Sequence, residues 1–211
     1  MRIMGGVTTR MRPLLAPPFL SCGEGMQKNT LIVNLFGGPG VGKSTTSADL
    51  FARLKRKGYE VELVTEEAKD QTWEENWCAL ANQWYITGCQ IQRLWRVYGK
   101  VDIVVMDSPI LTGLAYQGFG CGENFERAVI DAHNAFKYNL NIILGRNQKA
   151  YPYKESGRSQ SEEEAVKIDA TIIDILNKAQ DLWCRVGVSE DPDDYMGLIE
   201  STVERVFRWM N

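Results

Sequence analysis

Hydrophobic residues follow two different periods along this chain. Short apolar runs rich in β-branched residues predict strands that are buried on both faces. Longer segments, in which apolar residues recur every three or four positions, predict amphipathic helices. The predicted strands are residues 30–36, 59–65, 101–106, 140–144 and 183–188, and the predicted helices are residues 43–57, 72–98, 124–138, 161–180 and 193–210. Because strands and helices alternate throughout, we expect an α/β fold with a five-stranded parallel sheet between helices.

Local signals sharpen these predictions. Thr72 and Glu75 match a capping box, which predicts that the long helix begins there, with a potential break at Gly88. Ser161 and Glu164 match a second capping box at the start of a later helix. The glycines within residues 113–123 predict a loop.

Several tryptophans recur at helical spacing within residues 72–98. They are Trp73, Trp77, Trp84 and Trp95. We interpret this stripe as core packing. The alternative is a pocket for a planar base, formed by Trp77, Trp84, Trp95 and Tyr85 with Gln83 and Gln90.

Residues 1–28 differ in composition from the rest of the chain. Prolines interrupt an apolar stretch that follows three arginines, and neither a helical nor a strand period is present. The prolines argue against a secretory signal, so we expect a disordered extension ahead of a single domain at residues 29–211. Met26 lies just before the first strand, and translation starting there is an alternative to Met1.

Composition bounds the class of protein. The 211 residues suffice for one domain with its own core, and a formal net charge of −3 argues against a protein that coats nucleic acid, though not against a local basic patch. The five cysteines form no CxxC pair and His133 is the only histidine, so no structural zinc site is expected; we expect His133 to be structural or exposed. Reduced thiols in a cytoplasmic protein are the simplest interpretation of these cysteines. No apolar run reaches the roughly 18 residues of a membrane span.

One motif is highly specific. Residues 37–44, Gly-Gly-Pro-Gly-Val-Gly-Lys-Ser, match G-x-x-x-x-G-K-[ST] in full and lie between a predicted strand and a predicted helix. Glycines allow backbone amides to surround a phosphate at the start of a helix. We therefore expect ATP to bind here, with Lys43 at the β- and γ-phosphates and the Ser44 hydroxyl on Mg²⁺. The expected nucleotide-binding residues are Gly38, Pro39, Gly40, Val41, Gly42, Lys43, Ser44 and Thr45.

Asp107 directly follows the apolar run 101–106, as expected of the second magnesium-associated motif. Carboxyl ends of parallel strands lie at one edge of a sheet, so we expect Asp107 beside Ser44, where the two residues would hold Mg²⁺. Ser108 follows Asp107 in place of the glutamate that is typical of ATPase motors, and Ile110 stands where a GTPase needs glycine. Both substitutions favour a small-molecule kinase.

Such a kinase needs a carboxylate near the acceptor and arginines over the transferred phosphoryl group. Glu66 and Glu67 follow the second predicted strand, and strand alternation lets only one of them face the phosphate loop; two solvated acids are the alternative. Arg146 and Arg158 lie in the polar segment 146–160, which we predict to be a lid, with a solvated loop as the alternative.

These motifs together resemble a known family. The phosphate loop, Glu-Glu-Ala-Lys-Asp at 66–70, Asp-Ser-Pro at 107–109 and Tyr-x-x-x-Gly-Arg-x-Gln at 153–160 look like the small P-loop kinases related to the nicotinamide-riboside kinase half of NadR-type proteins, and like tailed-phage nucleotide-kinase proteins. The resemblance implies a nucleotide-kinase-like P-loop NTPase fold, ATP–Mg²⁺ phosphotransfer and Glu66 as the carboxylate at the acceptor. Ser108 departs from the family pattern, since many nucleoside kinases carry arginine there.

We therefore expect a phage-encoded, ATP-dependent kinase of a small nucleoside or nucleotide. Its expected catalytic residues are Lys43, Glu66, Asp107, Arg146 and Arg158. Two alternatives stay open. One is a kinase that acts on nucleic acid, at an end or on a hydroxymethylated base; the other is a nucleotide-dependent ATPase switch or interaction module.

Overall fold

The structure of the protein is a computed structural model that describes residues 28–116, 118, 120–147, 149, 152–153 and 161–211. The predicted N-terminal extension, apart from Lys28, and Arg158 lie outside the described residues. The strands are β1 (Leu31–Phe36), β2 (Val61–Val64), β3 (Ile103–Met106), β4 (Tyr138–Gly145) and β5 (Trp183–Gly187). The α-helices are α1 (Lys43–Arg56), α2 (Glu67–Trp73), α3 (Trp77–Leu80), α4 (Gln83–Trp95), α5 (Glu123–Asn134), α6 (Glu162–Lys178) and α7 (Pro192–Met210), and a 3₁₀ helix spans Ile110–Tyr116.

The strands form one parallel sheet in the order β2-β3-β1-β4-β5. β1 is central, and every residue from Leu31 to Phe36 is buried. The predicted five-stranded parallel sheet is confirmed. Because all strands run in the same direction, the segments that follow β1, β2, β3 and β4 leave the sheet at the same edge.

The two faces of β1 contribute to two separate cores. Leu31, Val33 and Leu35 pack with residues of α1 and α7 on one side. Ile32 and Phe36 pack with residues of α4, α5, α6 and the 3₁₀ helix on the other. Successive side chains of a strand point to opposite faces, so helices on both sides require the unbroken apolar run that the sequence shows. Within the described ranges, no helix combines the length and apolar character needed to cross a membrane.

The predicted long helix is in fact three helices, and its predicted start is wrong. Thr72 lies inside α2, where its hydroxyl donates to a backbone carbonyl one turn earlier, and Glu75 has a left-handed φ of 54°. Asn76 and Asn82 cap α3 and α4 instead, because their side-chain oxygens accept hydrogen bonds from amides of the first turn. Gly88 lies within α4, so the helix does not break there.

The tryptophan stripe is not core packing. Trp73, Trp77, Trp84 and Trp95 are 64%, 57%, 47% and 40% exposed. They belong to three different helices, so their spacing in sequence does not place them on one buried face. Trp84 and Trp95 each keep a ring edge against a phenylalanine of the second core.

Other local predictions have mixed outcomes. The capping box of Ser161 and Glu164 is formed at the start of α6. The first part of the predicted loop 113–123 is instead the end of the 3₁₀ helix, whose apolar side chains pack into the second core. His133 is buried, and its Nε2 lies 2.5 Å from Asp181 Oδ2, which fits a structural role.

A chain of buried amides links β1 to β4. Asn34 Nδ2 donates to Asn139 Oδ1 and to Asn141 Oδ1, each at 2.9 Å. Asn141 Nδ2 in turn donates to Asp181 Oδ2 at 3.2 Å. Buried polar groups stabilise a fold only while each keeps its partner, so this network favours one register of β1 against β4 just before the phosphate loop.

We expect Asn34→Leu to lower the free energy of unfolding by about 1–3 kcal/mol, since the buried side-chain oxygen of Asn141 and the half-buried one of Asn139 lose their donor. Urea unfolding followed by circular dichroism measures the change. Asn124→Leu, at an exposed position of α5, is the matched control and should change the free energy by less than about 0.5 kcal/mol. Equal stability of the Asn34 variant and the unmodified protein would show that the network adds nothing.

Candidate active site

The loop between β1 and α1 has the conformation of a phosphate-binding site. Gly40 and Gly42 adopt left-handed φ values of 79° and 98°, which residues with a side chain rarely adopt. No described residue accepts a hydrogen bond from the amides of Gly40, Val41 or Gly42. Unpaired amides at the amino end of a helix favour an anion. The backbone of the loop therefore fits the phosphates of a nucleotide.

Lys43, Ser44 and Asp107 lie together at this loop. Lys43 Nζ donates to the carbonyl oxygens of Gly37 and Gly38 at 2.7 and 3.2 Å, which holds the ammonium over the loop. Ser44 Oγ donates to Asp107 Oδ2 at 2.8 Å, and Asp107 Oδ1 is buried with no hydrogen-bond partner among the described residues. A hydroxyl beside a carboxylate with an unsatisfied oxygen is a donor set that suits Mg²⁺.

The two glutamates after β2 have different environments. Glu67 is buried; its Oε2 lies 2.6 Å from Arg93 Nη2, and its Oε1 accepts a hydrogen bond from Gln71. Burial raises the pKa of Glu66, and the nearby Lys43 ammonium opposes that shift. Glu67 is thus held by structural partners, while Glu66 is the carboxylate within electrostatic reach of the phosphate loop.

A cavity of about 460 Å³ opens beside Glu66. Its walls come from α2, α3, α4, the 3₁₀ helix and the segment after β3, and they include Pro39 of the phosphate loop. Gln83 Nε2 donates to Thr87 Oγ1 at 3.3 Å, while Thr112 Oγ1 is buried with no partner among the described residues. Polar groups in a cavity of this size fit a small polar ligand.

Only some of the residues expected to enclose a planar base line this cavity. Trp77, Gln83 and Gln90 line it, whereas Trp84, Trp95 and Tyr85 do not. Gln90 is already engaged by the backbone, since its Oε1 accepts from the Glu67 amide and its Nε2 donates to the Thr65 carbonyl. Tyr116 also lines the cavity, and burial raises its pKa, so its hydroxyl stays protonated near neutral pH.

Arg146 contacts the phosphate loop from outside. Its Nε donates to Asp169 Oδ2 at 2.8 Å, its Nη1 to the Pro39 carbonyl at 2.9 Å and its Nη2 to the Ala165 carbonyl at 3.4 Å. All three nitrogens are therefore engaged by the protein itself. The second arginine of the expected lid, Arg158, lies outside the described residues.

Comparison with known proteins shows the family of the chain. The sequence model of the AAA domain family matches residues 32–191, well over half of the chain. The chain belongs to the AAA domain family. A separate comparison with curated protein sequences finds no match.

Solved structures show the fold of this AAA domain. Thymidylate kinase from Ehrlichia chaffeensis superposes with a TM-score of 0.56 at 15% identity, over 85% of this chain and 99% of that one. Deoxyadenosine kinase from M. mycoides, solved with dCMP and a flexible dCDP, superposes with a TM-score of 0.53 at 19% identity, over 83% of this chain and 100% of that one. The predicted nucleotide-kinase-like P-loop fold is confirmed.

The motifs of this AAA domain did not indicate Asp169, although it contacts the phosphate loop. A weaker signal is present in the sequence of α6. Ala165, Ile172 and Leu176 are buried along one face of that helix, and Asp169 falls on the same face at helical spacing. A carboxylate in an apolar stripe needs a buried partner, so this position was open to prediction.

We expect Lys43→Ala to raise the Kd of ATP about tenfold or more, because the loop loses an ammonium partner for phosphate oxygens. Calorimetric titration with ATP and Mg²⁺ measures the affinity, and the melting temperature should change little. Lys55→Ala, at the exposed end of the same helix, is the control and should bind ATP normally. Unchanged affinity in the Lys43 variant would rule out nucleotide binding at this loop.

Proposed function

We propose that this protein transfers the γ-phosphate of ATP to a small nucleoside or nucleotide. One observation carries the proposal: Glu66 lines the cavity beside the phosphate loop and lies within electrostatic reach of Lys43. A carboxylate at that boundary can orient or deprotonate a hydroxyl that enters the cavity. Donor and acceptor would meet at Glu66.

The residues of the phosphate loop have separate tasks in such a transfer. Loop amides and the amino end of α1 bind and orient the phosphates. Lys43 would exchange its bonds to loop carbonyls for oxygens of the γ-phosphate and neutralise their charge. Ser44 and Asp107 would hold Mg²⁺, which supplies further positive charge to the phosphates when bound.

The electrostatics favour a hydroxyl acceptor, and hence a nucleoside over a nucleotide. Glu66 and Asp107 place two carboxylates near the point of transfer. The phosphate of an acceptor nucleotide would bring more negative charge next to them and would be repelled. The phosphate of a nucleotide is also already ionised and needs no general base, whereas a hydroxyl acceptor reacts faster when a base removes its proton.

The similar structures support a small nucleoside or nucleotide as the acceptor and do not decide between the two. They are kinases named for thymidylate and for deoxyadenosine, and the second holds dCMP and dCDP. The NadR-type motifs add nicotinamide riboside to the candidate acceptors. The same motifs favour a phage-encoded enzyme, which would work in the cytoplasm, where its donor ATP is made.

A kinase of nucleic-acid ends is the second candidate. Trp77 lines the cavity and Trp73 precedes it on α2, and both rings are more than half exposed. Exposed aromatic rings bind successive bases of a single strand by stacking. Glu74 and Glu75 are exposed between them, however, and would repel a phosphate backbone, so the small acceptor is preferred.

Measuring ADP release in the presence of different acceptors tests the proposal. The panel contains nucleosides including nicotinamide riboside, mononucleotides and oligonucleotides, each at two salt concentrations. We expect release that depends on a nucleoside and changes little with salt. Activity on oligonucleotides alone, falling steeply with salt, would support the second candidate, and ADP release independent of every acceptor would point to a simple ATPase.

We expect Glu66→Gln to lower kcat by about 10²–10⁴ with a hydroxyl acceptor, because the amide cannot take the proton. The affinity for ATP should stay within about twofold. Since burial raises the pKa of Glu66, the ionised side chain is unfavourable in the folded state, and the substitution should not lower stability near neutral pH. Steady-state kinetics and urea unfolding measure these effects.

Glu67→Gln is the matched control for that variant. It weakens a buried ion pair with Arg93 and should lower stability more than kcat. The acidic limb of the pH–rate profile gives an independent check: activity should fall, as pH decreases, from a higher pH than an ordinary glutamate would give. Equal and small losses of kcat in both variants would remove Glu66 from the mechanism.

A further inference from the structure

Asp169 joins α6 to the phosphate loop. Its Oδ1 accepts a hydrogen bond from the Gly38 amide at 2.5 Å, and its Oδ2 accepts from Arg146 Nε at 2.8 Å. One carboxylate thus binds both the second residue of the loop and the residue that follows β4. Both of its oxygens are engaged, and a charged partner lies on one side.

The contact between α6 and the loop is close at Gly38. A Cβ atom at Gly38 would lie 2.4 Å from the Ala165 carbonyl oxygen and 2.9 Å from Asp169 Oδ1, so a side chain has no room there. Arg146 bridges the remaining gap, donating to the carbonyls of Pro39 and Ala165. The side chains of Asp169 and Arg146 thus hold the loop by hydrogen bonds with its backbone.

These bonds hold the peptide groups that come directly before the unpaired amides of the loop. Asp169 fixes the amide of Gly38 and Arg146 fixes the carbonyl of Pro39. The next residue, Gly40, begins the run of unpaired amides that suits phosphate oxygens. A change in the orientation of the two fixed peptides would therefore move the amide of Gly40. An ion pair that served only to attach α6 would not need to end on these backbone atoms.

We propose that Asp169, together with Arg146, is a positioning residue of the ATP site. It sets the conformation of the phosphate loop from outside and so controls affinity for the nucleotide without touching it. Arg146 acts through the loop in this arrangement, in place of the direct contact with the phosphoryl group that the sequence suggested. The inference rests on the proposed function only for the identity of the donor, ATP.

Binding of ATP with Mg²⁺, measured by calorimetry in the absence of any acceptor, tests this proposal on the full chain. We expect Asp169→Ala to raise the Kd about tenfold, the effect of losing one charge-assisted hydrogen bond. Asp169→Asn should recover much of the affinity, because its amide oxygen still accepts from the Gly38 amide. Asp174→Ala, at an exposed position of the same helix, should bind ATP normally.

Steady-state kinetics separate positioning from a general loss of structure. In the Asp169 variants KM for ATP should rise while KM for the acceptor stays constant and kcat recovers at saturating ATP. Arg146→Lys serves as a milder variant if Asp169→Ala does not fold, and it should also raise the Kd of ATP. Affinity within twofold of the unmodified protein in Asp169→Ala would overturn the proposal, and so would the same result in Arg146→Lys if Asp169→Ala does not fold.

The outcome is independent of the phosphotransfer reaction. If the unmodified protein binds ATP but phosphorylates no acceptor, the proposed function fails while the expected effect at Asp169 is still measured. If transfer occurs and Asp169→Ala binds ATP normally, the positioning role fails alone.

Discussion

The active site depends on the parallel arrangement of the strands around β1. Parallel strands end at one edge of the sheet, and four of the segments that follow these strand ends each carry a candidate site residue. The phosphate loop follows β1, Glu66 follows β2, Asp107 follows β3 and Arg146 follows β4. Residues 80 positions apart in sequence, Glu66 and Arg146, therefore belong to one site. Burial of β1 on both faces fixes this arrangement, because a one-residue shift would exchange side chains between the two cores and separate Asn34 from its hydrogen-bond partners.

The difference between Glu66 and Glu67 shows how two adjacent acids acquire opposite tasks. Glu67 starts α2 and points to α4, where Arg93 neutralises it inside the protein. Glu66 lies at the cavity, where burial raises its pKa and the Lys43 ammonium only opposes that shift. A raised pKa suits a group that must accept a proton near neutral pH. In the proposed reaction, Glu67 supports Glu66, since Glu67 anchors the start of the helix that follows.

The parts of this structure that were predictable are those with local signals. The phosphate loop, the apolar strands and the acid at the end of β3 each have a pattern of a few residues, and strand topology then brings them together. The division of residues 67–95 into three helices was not predictable, because Asn76 and Asn82 compete with Thr72 for the role of cap and only packing decides between them. Helical spacing places Asp169 on the buried face of α6, but its bond to Gly38 spans 131 residues, so no local pattern identifies the partner.

Helix α4 couples the shape of the cavity to the position of the carboxylate. Gln83, Thr87 and Gln90 face the cavity from one side of the helix. From the same helix, Gln90 and Arg93 hold the backbone and side chains on either side of Glu66. Gln90 thus belongs to both sets, so a substitution there that reshapes the acceptor pocket also loosens the strand end that presents Glu66. In the proposed kinase, acceptor choice and the placement of Glu66 are therefore linked at Gln90, whereas Gln83 and Thr87, which bond to each other, leave the strand end untouched. The positions at which acceptor preference is open to change without loss of rate are accordingly those in the first half of the helix.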